Sequence, residues 1–188
     1  MECNEIISLK DNPEYINKTK LFLMKMIKEE YGYGYIKEYH SDIKNLKETY
    51  LIPKNNFYII LNKTKDVIGS IGIRGYDKNF KEFKHRYTKE NTSSVWRMFI
   101  DKKYRRKGLG SQLVKMVERF SKEENYNEIY LHTHKNVEGA LNFWKSLNYR
   151  ITIDTNNELK TIHMEKKIIQ INLENNYNNM GIKNNLAL

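Results

Sequence analysis

Arg105, Gly108 and Gly110, with Arg106 and Lys107 between them, sit where the chain changes character. The apolar run Val95 to Ile100 reads as a strand, and from Leu109 onward Leu113, Val117 and Phe120 recur at helical spacing. A basic, glycine-bearing turn therefore joins a strand to a helix N-terminus. The first amides of a helix have no acceptor within it, and the helix dipole is positive at that end. Such a turn suits a phosphate-type anion, because glycines let the backbone approach it. A Walker turn would need a lysine directly before Ser111, where Gly110 stands, and a dinucleotide fingerprint would need a third glycine where Leu113 stands.

A second pattern follows. Glu128 to Thr133 alternates as a short strand carrying His132, with His134 just beyond it. The segment Asn136 to Tyr149 then places Val137, Ala140, Leu141, Trp144 and Leu147 on one helical stripe. Asn148 closes the stripe, and asparagine tolerates a left-handed helix end.

Taken together, Arg105-x-x-Gly108-x-Gly110 and the Ala140 to Tyr149 helix resemble the GCN5-related N-acetyltransferase (GNAT) superfamily. The resemblance implies that acetyl-coenzyme A is the cofactor and that an acetyl group passes directly to a bound primary amine. It also implies cofactor contacts at Met98, Phe99 and Ile100, at Arg105, Arg106, Lys107, Gly108, Leu109, Gly110 and Ser111, and at Asn136 and Trp144. Trp144 stands where the superfamily often has an acidic tyrosine, and an indole N–H is no usable acid; on a helical stripe it is read mainly as core packing, with flanking of the pantetheine arm as its second role. The motif asparagine falls on Val137, with Asn136 one residue early. His132 lies on the strand that the family sets beside the acetyl group, and an imidazole of ordinary pKa, near 6.5, would accept a proton near neutrality. It is the candidate base, with a structural histidine as the plain alternative.

For the acceptor, the aromatic-glycine segment Tyr31 to Tyr35 and the helix after it are the candidate wall. Tyr33, Tyr35, Glu38, His40 and Asp42 would suit a cationic amine. Small amines, polyamines, aminoglycosides, amino acids and peptide amines all stay open as acceptors.

These residues need a scaffold. Glu5 to Leu9 reads as a first strand. Pro13 opens a helix whose expected stripe is Ile16, Leu21, Met24 and Ile27, and a second helix is expected from about Lys37 to Tyr50. Phe57 to Leu61 and Val67 to Ile73 read as a hairpin, and Tyr149 to Ile153 and Thr161 to Lys167 as a closing pair. Gly75 to Thr92 looks polar and mobile. The alternation predicts an α/β fold, and the resemblance narrows it to a mixed, mostly antiparallel twisted sheet of six to seven strands flanked by helices. Residues 1–168 are expected to form one acetyltransferase domain, with 169–188 an Asn-rich tail, disordered or loosely docked.

The chain has 188 residues and a net charge of +10, from 33 Lys+Arg against 23 Asp+Glu. Such charge favours polyanions, yet the basic residues are spread rather than gathered with aromatics, so a nucleic-acid module is the weaker reading. A CoA-binding regulatory module without catalysis is the other alternative. Cys3, the single cysteine, excludes an internal disulfide and a cysteine-rich zinc site. No apolar run spans a membrane and no signal core opens the chain, so the expectation is a cytoplasmic protein without a metal. Oligomeric state stays open, a homodimer included.

Overall fold

A computed structural model describes residues 4–169, apart from 79, 84 and 85. The tail from residue 170 and Cys3 lie outside the described residues. Seven strands form one sheet in the order β1-β2-β3-β4-β5-β7-β6. They are β1 (Glu5–Ser8), β2 (Asn56–Leu61), β3 (Val67–Gly75), β4 (Thr92–Ile100), β5 (Glu128–His134), β6 (Arg150–Asp154) and β7 (Thr161–Lys167). Every pairing is antiparallel except β4 with β5. This is the mixed sheet that the family resemblance implies within the α/β class read from the alternation, and helices flank it on both faces.

On one face lies α4 (Leu109–Glu123), with α5 (Ala140–Ser146) beside it. Leu109, Leu113, Val114, Val117 and Phe120 bury against Ile71, Ile73, Val95, Ile129, Leu131, Ile162 and Met164. The opposite face carries α1 (Ile16–Tyr31), α2 (Lys37–Lys44) and α3 (Leu46–Tyr50), packed on Phe57, Ile59 and Leu61. Pro13 opens a 3₁₀ turn ahead of α1, and Gly32 ends that helix at φ +77°. The buried stripe of α1 is Thr19, Phe22, Leu23, Met26 and Ile27, at spacings of three and four. Leu21, expected on that stripe, is instead solvent-exposed.

Two other expectations are revised. The helix read from Lys37 to Tyr50 is broken: His40 leaves helical geometry at φ −126°, and Asn45 separates α2 from α3. The reason is local, since His40 Nδ1 accepts a hydrogen bond from the Ile36 amide at 2.8 Å and so bends the first turn around its own ring. The segment after Gly75 is not uniformly solvated either. Tyr76, Phe83 and Tyr87 are buried against Tyr130 of β5. Aromatics scattered among charges show no period, yet they cover the β5 surface that the helices leave bare. Among the described residues, no helix is long and apolar enough to cross a membrane.

Candidate active site

The parallel ladder between β4 and β5 has only three pairs, Thr92 to Ser94 with Glu128 to Tyr130. Beyond Ser94 the two strands part, so the β5-facing edge of β4 from Val95 to Ile100 has no strand beside it. On its other side β4 carries an irregularity: Phe99 pairs with Ser70 but Trp96 with Gly72, leaving Arg97 and Met98 opposite the single residue Ile71. Arg97 adopts φ +49°, which costs a non-glycine residue energy and needs outside support. That support comes from both ends of the residue. Ser70 Oγ donates to the Arg97 carbonyl at 2.8 Å. The guanidinium donates to both Asp42 oxygens, Nε to Oδ2 at 2.9 Å and Nη2 to Oδ1 at 2.6 Å, and to the Tyr39 carbonyl. Tyr50 adds its hydroxyl to Asp42 Oδ2 at 2.8 Å. Burial alone would raise the Asp42 pKa, but Arg97 and Tyr50 outweigh it and hold the carboxyl below the ordinary 3.8.

At the end of β4 the chain makes a 3₁₀ turn, Lys102–Tyr104, capped by Asp101, which accepts from the Lys103 amide at 3.0 Å. The basic turn follows. Arg105 is drawn inward: Nε donates to the Ile100 carbonyl at 2.9 Å and Nη2 pairs with Glu30 of α1. Arg106 and Gly108 take left-handed φ values of +64° and +75°. Gly108, Leu109, Gly110 and Ser111 show no acceptor for their amides among the described residues, as the first turn of α4 requires. A Cβ on Gly108 would meet nothing within 4 Å, so the turn faces open space. A Cβ on Gly110 would come within 3.2 Å of Met98 Cε and the Phe143 ring, so the glycine lets α4 lie close to β4 and α5.

The face opposite α4 holds a histidine-aromatic layer. His132 and His163 pair across β5 and β7, with ring centres 6.1 Å apart, and the Trp96 ring stands nearly perpendicular to that of His132 with centres 6.5 Å apart. Tyr130 Oη and His163 Nδ1 share a hydrogen bond of 2.6 Å. Enclosure by these side chains, reinforced by the charges of Lys78 and Arg97 and the neighbouring histidines, pushes the His132 pKa down to about 3. The near-neutral titration expected of an ordinary imidazole is thereby displaced, and the ring is neutral at physiological pH. Two cations flank Trp96: Arg74 Cζ lies 3.8 Å, and Lys78 Nζ 3.9 Å, from the ring centre.

Several residues singled out from the sequence sit elsewhere than their expected roles require. Asp42 is committed to Arg97, and His40 is buried as the clamp on Ile36, so neither offers a free charge to a cationic amine. Tyr33 stacks on His40 at 6.0 Å and, like Tyr35, keeps a solvent-exposed surface. Trp144, by contrast, is buried in the core as its helical stripe predicts, its ring centre 5.0 Å from that of Tyr149, while Phe143 takes the position against Gly110. Asn136 is exposed in the turn between β5 and α5, because the helix starts only at Ala140. Arg97, Trp96, Phe143, Arg74 and Lys78 carried no motif that could have flagged them.

A seven-stranded mixed sheet that opens beside a glycine turn at a helix N-terminus defines an acyl-CoA transferase type of fold. The chain belongs to the acetyltransferase (GNAT) family, whose sequence model matches residues 21–149. It is 21% identical over 112 residues to human N-acetyltransferase 8, covering 60% of this chain and 46% of that protein. It is 23% identical over 111 residues to human N-acetylaspartate synthetase, covering 59% and 33%. The match thus spans less than half the length of these curated relatives. Among solved structures, a GNAT-family acetyltransferase from Staphylococcus aureus Mu50 superposes with a TM-score of 0.71 at 22% identity, covering 89% of this chain and all of that one. The PaiA N-acetyltransferase of Thermoplasma acidophilum, solved with coenzyme A, gives 0.63 at 18% identity, covering 88% and 99%.

Proposed function

We propose that this chain transfers an acetyl group from acetyl-CoA to a primary amine, with both ligands bound at once. The observation that carries the reading is the early end of the β4–β5 ladder beside the unpartnered amides that open α4. Residues 1–168 are the transferase domain in this reading, followed by the Asn-rich segment 169–188.

Bound acetyl-CoA supplies an activated acyl thioester. The turn from Arg106 to Ser111 fits its diphosphate: amides point outward, the dipole is favourable, and Gly108 leaves room for close approach. Lys107 and Arg106 add charge, whereas Arg105 fixes the turn to β4 and α1. The edge of β4 at Met98, Phe99 and Ile100 offers backbone groups to the pantetheine arm and the acetyl carbonyl, with the Arg97 irregularity setting their direction. Phe143 lines the arm from α5, Trp144 backs it from the core, and Asn136 stands at the rim. On the other face, His132, held neutral by its enclosure, is too weak a base to keep an ammonium proton; it offers a hydrogen-bond acceptor that orients the incoming amine, whose proton passes to water. Tyr33 and Tyr35 wall the acceptor side, with His40 and Asp42 holding that wall in place.

Both curated relatives carry names of N-acetylation, which supports an amine acceptor. The test is acetyl-CoA turnover over an amine panel, followed by release of the CoA thiol. Thiol release that depends on an amine upholds the reading, and CoA binding with no release across the panel overturns it. A second reading, a CoA-binding module without transfer, is favoured by Trp144, which removes the usual acid from its place. That second outcome would establish it.

A further inference from the structure

The acceptor side carries a charge pattern that the sequence reading did not anticipate. Arg74 is the last residue but one of β3, and Lys78 lies four residues on, in the segment that the buried Tyr76 ties to β5. Both cations come to the indole of Trp96, which is also the ring that His132 meets edge-on. The carboxylates of this face are already engaged. Asp42 is taken by Arg97, and Glu165 by Arg86 at 3.0 Å and Tyr87 at 2.6 Å. Asp77 pairs with Arg74 Nη2 at 3.1 Å from a half-exposed position. Lys78 therefore has no carboxylate within ion-pair distance among the described residues, although it is partly buried. Arg74 Nε is buried with no acceptor as well.

We propose that Lys78 and Arg74, set beside Trp96, form a subsite for a carboxylate on the acceptor, so that the amine acetylated belongs to an amino acid. The proposal rests on the transferase reading above and adds the class of acceptor. Two like charges beside one indole, with Lys78 lacking a carboxylate among the described residues, are costly unless an anion joins them, and a carboxylate at Lys78 would neutralise its ammonium while lying in the field of Arg74. Burial, and next the Arg74 charge, lower the Lys78 pKa, as expected of a cation that lacks its counter-ion. The same field disfavours a polyamine or aminoglycoside, whose second positive charge would have to approach these two. A carboxylate held at Trp96 leaves the amine of a short amino acid on the side of His132, whose neutral ring can accept a hydrogen bond from it.

The experiment compares acetyl-CoA turnover for α- and ω-amino acids with their carboxamides and with a diamine, in wild type, Lys78→Gln and Lys78→Arg. Equilibrium binding of the same amines to the CoA complex, read by Trp96 fluorescence in a Trp144→Phe background, runs alongside. At least one amino acid should exceed its carboxamide about tenfold in kcat/KM, mainly through KM; Lys78→Gln should bring the two near parity and Lys78→Arg should restore the preference. A carboxamide or diamine as the better substrate, or an unchanged preference in Lys78→Gln, overturns the subsite while leaving the transferase reading intact. Conversely, fluorescence quenching by amino acids that is lost in Lys78→Gln, with no thiol released, upholds the subsite and overturns the transferase reading.

Discussion

Arg97, three residues beyond the last β4–β5 pair at Ser94, meets Asp42 in a two-pronged ion pair. The pair lies 55 residues apart in sequence and ties the irregular stretch of β4 to α2. Both side chains are largely buried, at 13% and 8% exposed, so neither charge has water to fall back on. Asp42→Ala should therefore destabilise the domain by about 3 kcal/mol, read from urea unfolding. Asp42→Asn keeps a hydrogen-bond acceptor and should cost less. Both should lower kcat more than they weaken CoA binding, because the turn at Gly108 is untouched.

Acid unfolding tests the same pair. The folded pKa of Asp42 lies below its ordinary 3.8, so the stabilisation is complete above that pH and is lost as pH falls below it. Stability of the wild type should drop more steeply below about pH 4 than that of Asp42→Asn, because only the wild type takes up this proton.

His132 supplies a separate test at higher pH. Its folded pKa of about 3 against the ordinary 6.5 means that unfolding takes up a proton between those values. Stability owed to the neutral ring is full above pH 6.5 and declines as pH falls toward 3, by at most about 1.4 kcal/mol per pH unit. His132→Gln should flatten that decline. It should also lower turnover without changing the shape of the rate profile from pH 7 to 8, since the free ring holds no proton there.

The two glycines of the turn should separate binding from folding. Gly108→Ala meets no atom but places a Cβ at φ +75°, costing about 1 kcal/mol in stability. Gly108→Glu adds bulk and negative charge in the proposed diphosphate cradle and should weaken CoA binding more than about tenfold, by calorimetry, with an unchanged circular dichroism spectrum. Arg105→Ala should do the reverse, lowering the melting temperature through loss of the Glu30 and Ile100 contacts while CoA affinity changes less than about threefold.

What the sequence made legible was local. The Gly108–Gly110 turn, the α4 stripe and the strand alternation each repeat at short range, and their order fixes the sheet once right-handed connections and short turns are assumed. The Arg97 irregularity was silent because nothing in Trp96-Arg97-Met98 marks an extra residue; its support comes from Asp42 and Ser70, far off in the chain. Asp42 looked like a free carboxylate for the same reason. Lys78 looked like one more solvated lysine, and only the burial of Tyr76, Phe83 and Tyr87 against Tyr130 brings its segment to Trp96. His132 was singled out by position, yet its altered ionisation comes first from burial and then from the charge of Lys78, which no spacing rule connects to it.

The glycine turn opens on the α4 face of the sheet, while Trp96, His132 and Lys78 lie on the reverse. Nucleotide and amine would thus reach the reacting thioester along separate routes, meeting only where β4 and β5 diverge. In the proposed reaction neither would obstruct the other's arrival, so the order of addition would follow relative affinities rather than blockage, and each product would leave by the side from which its parent came.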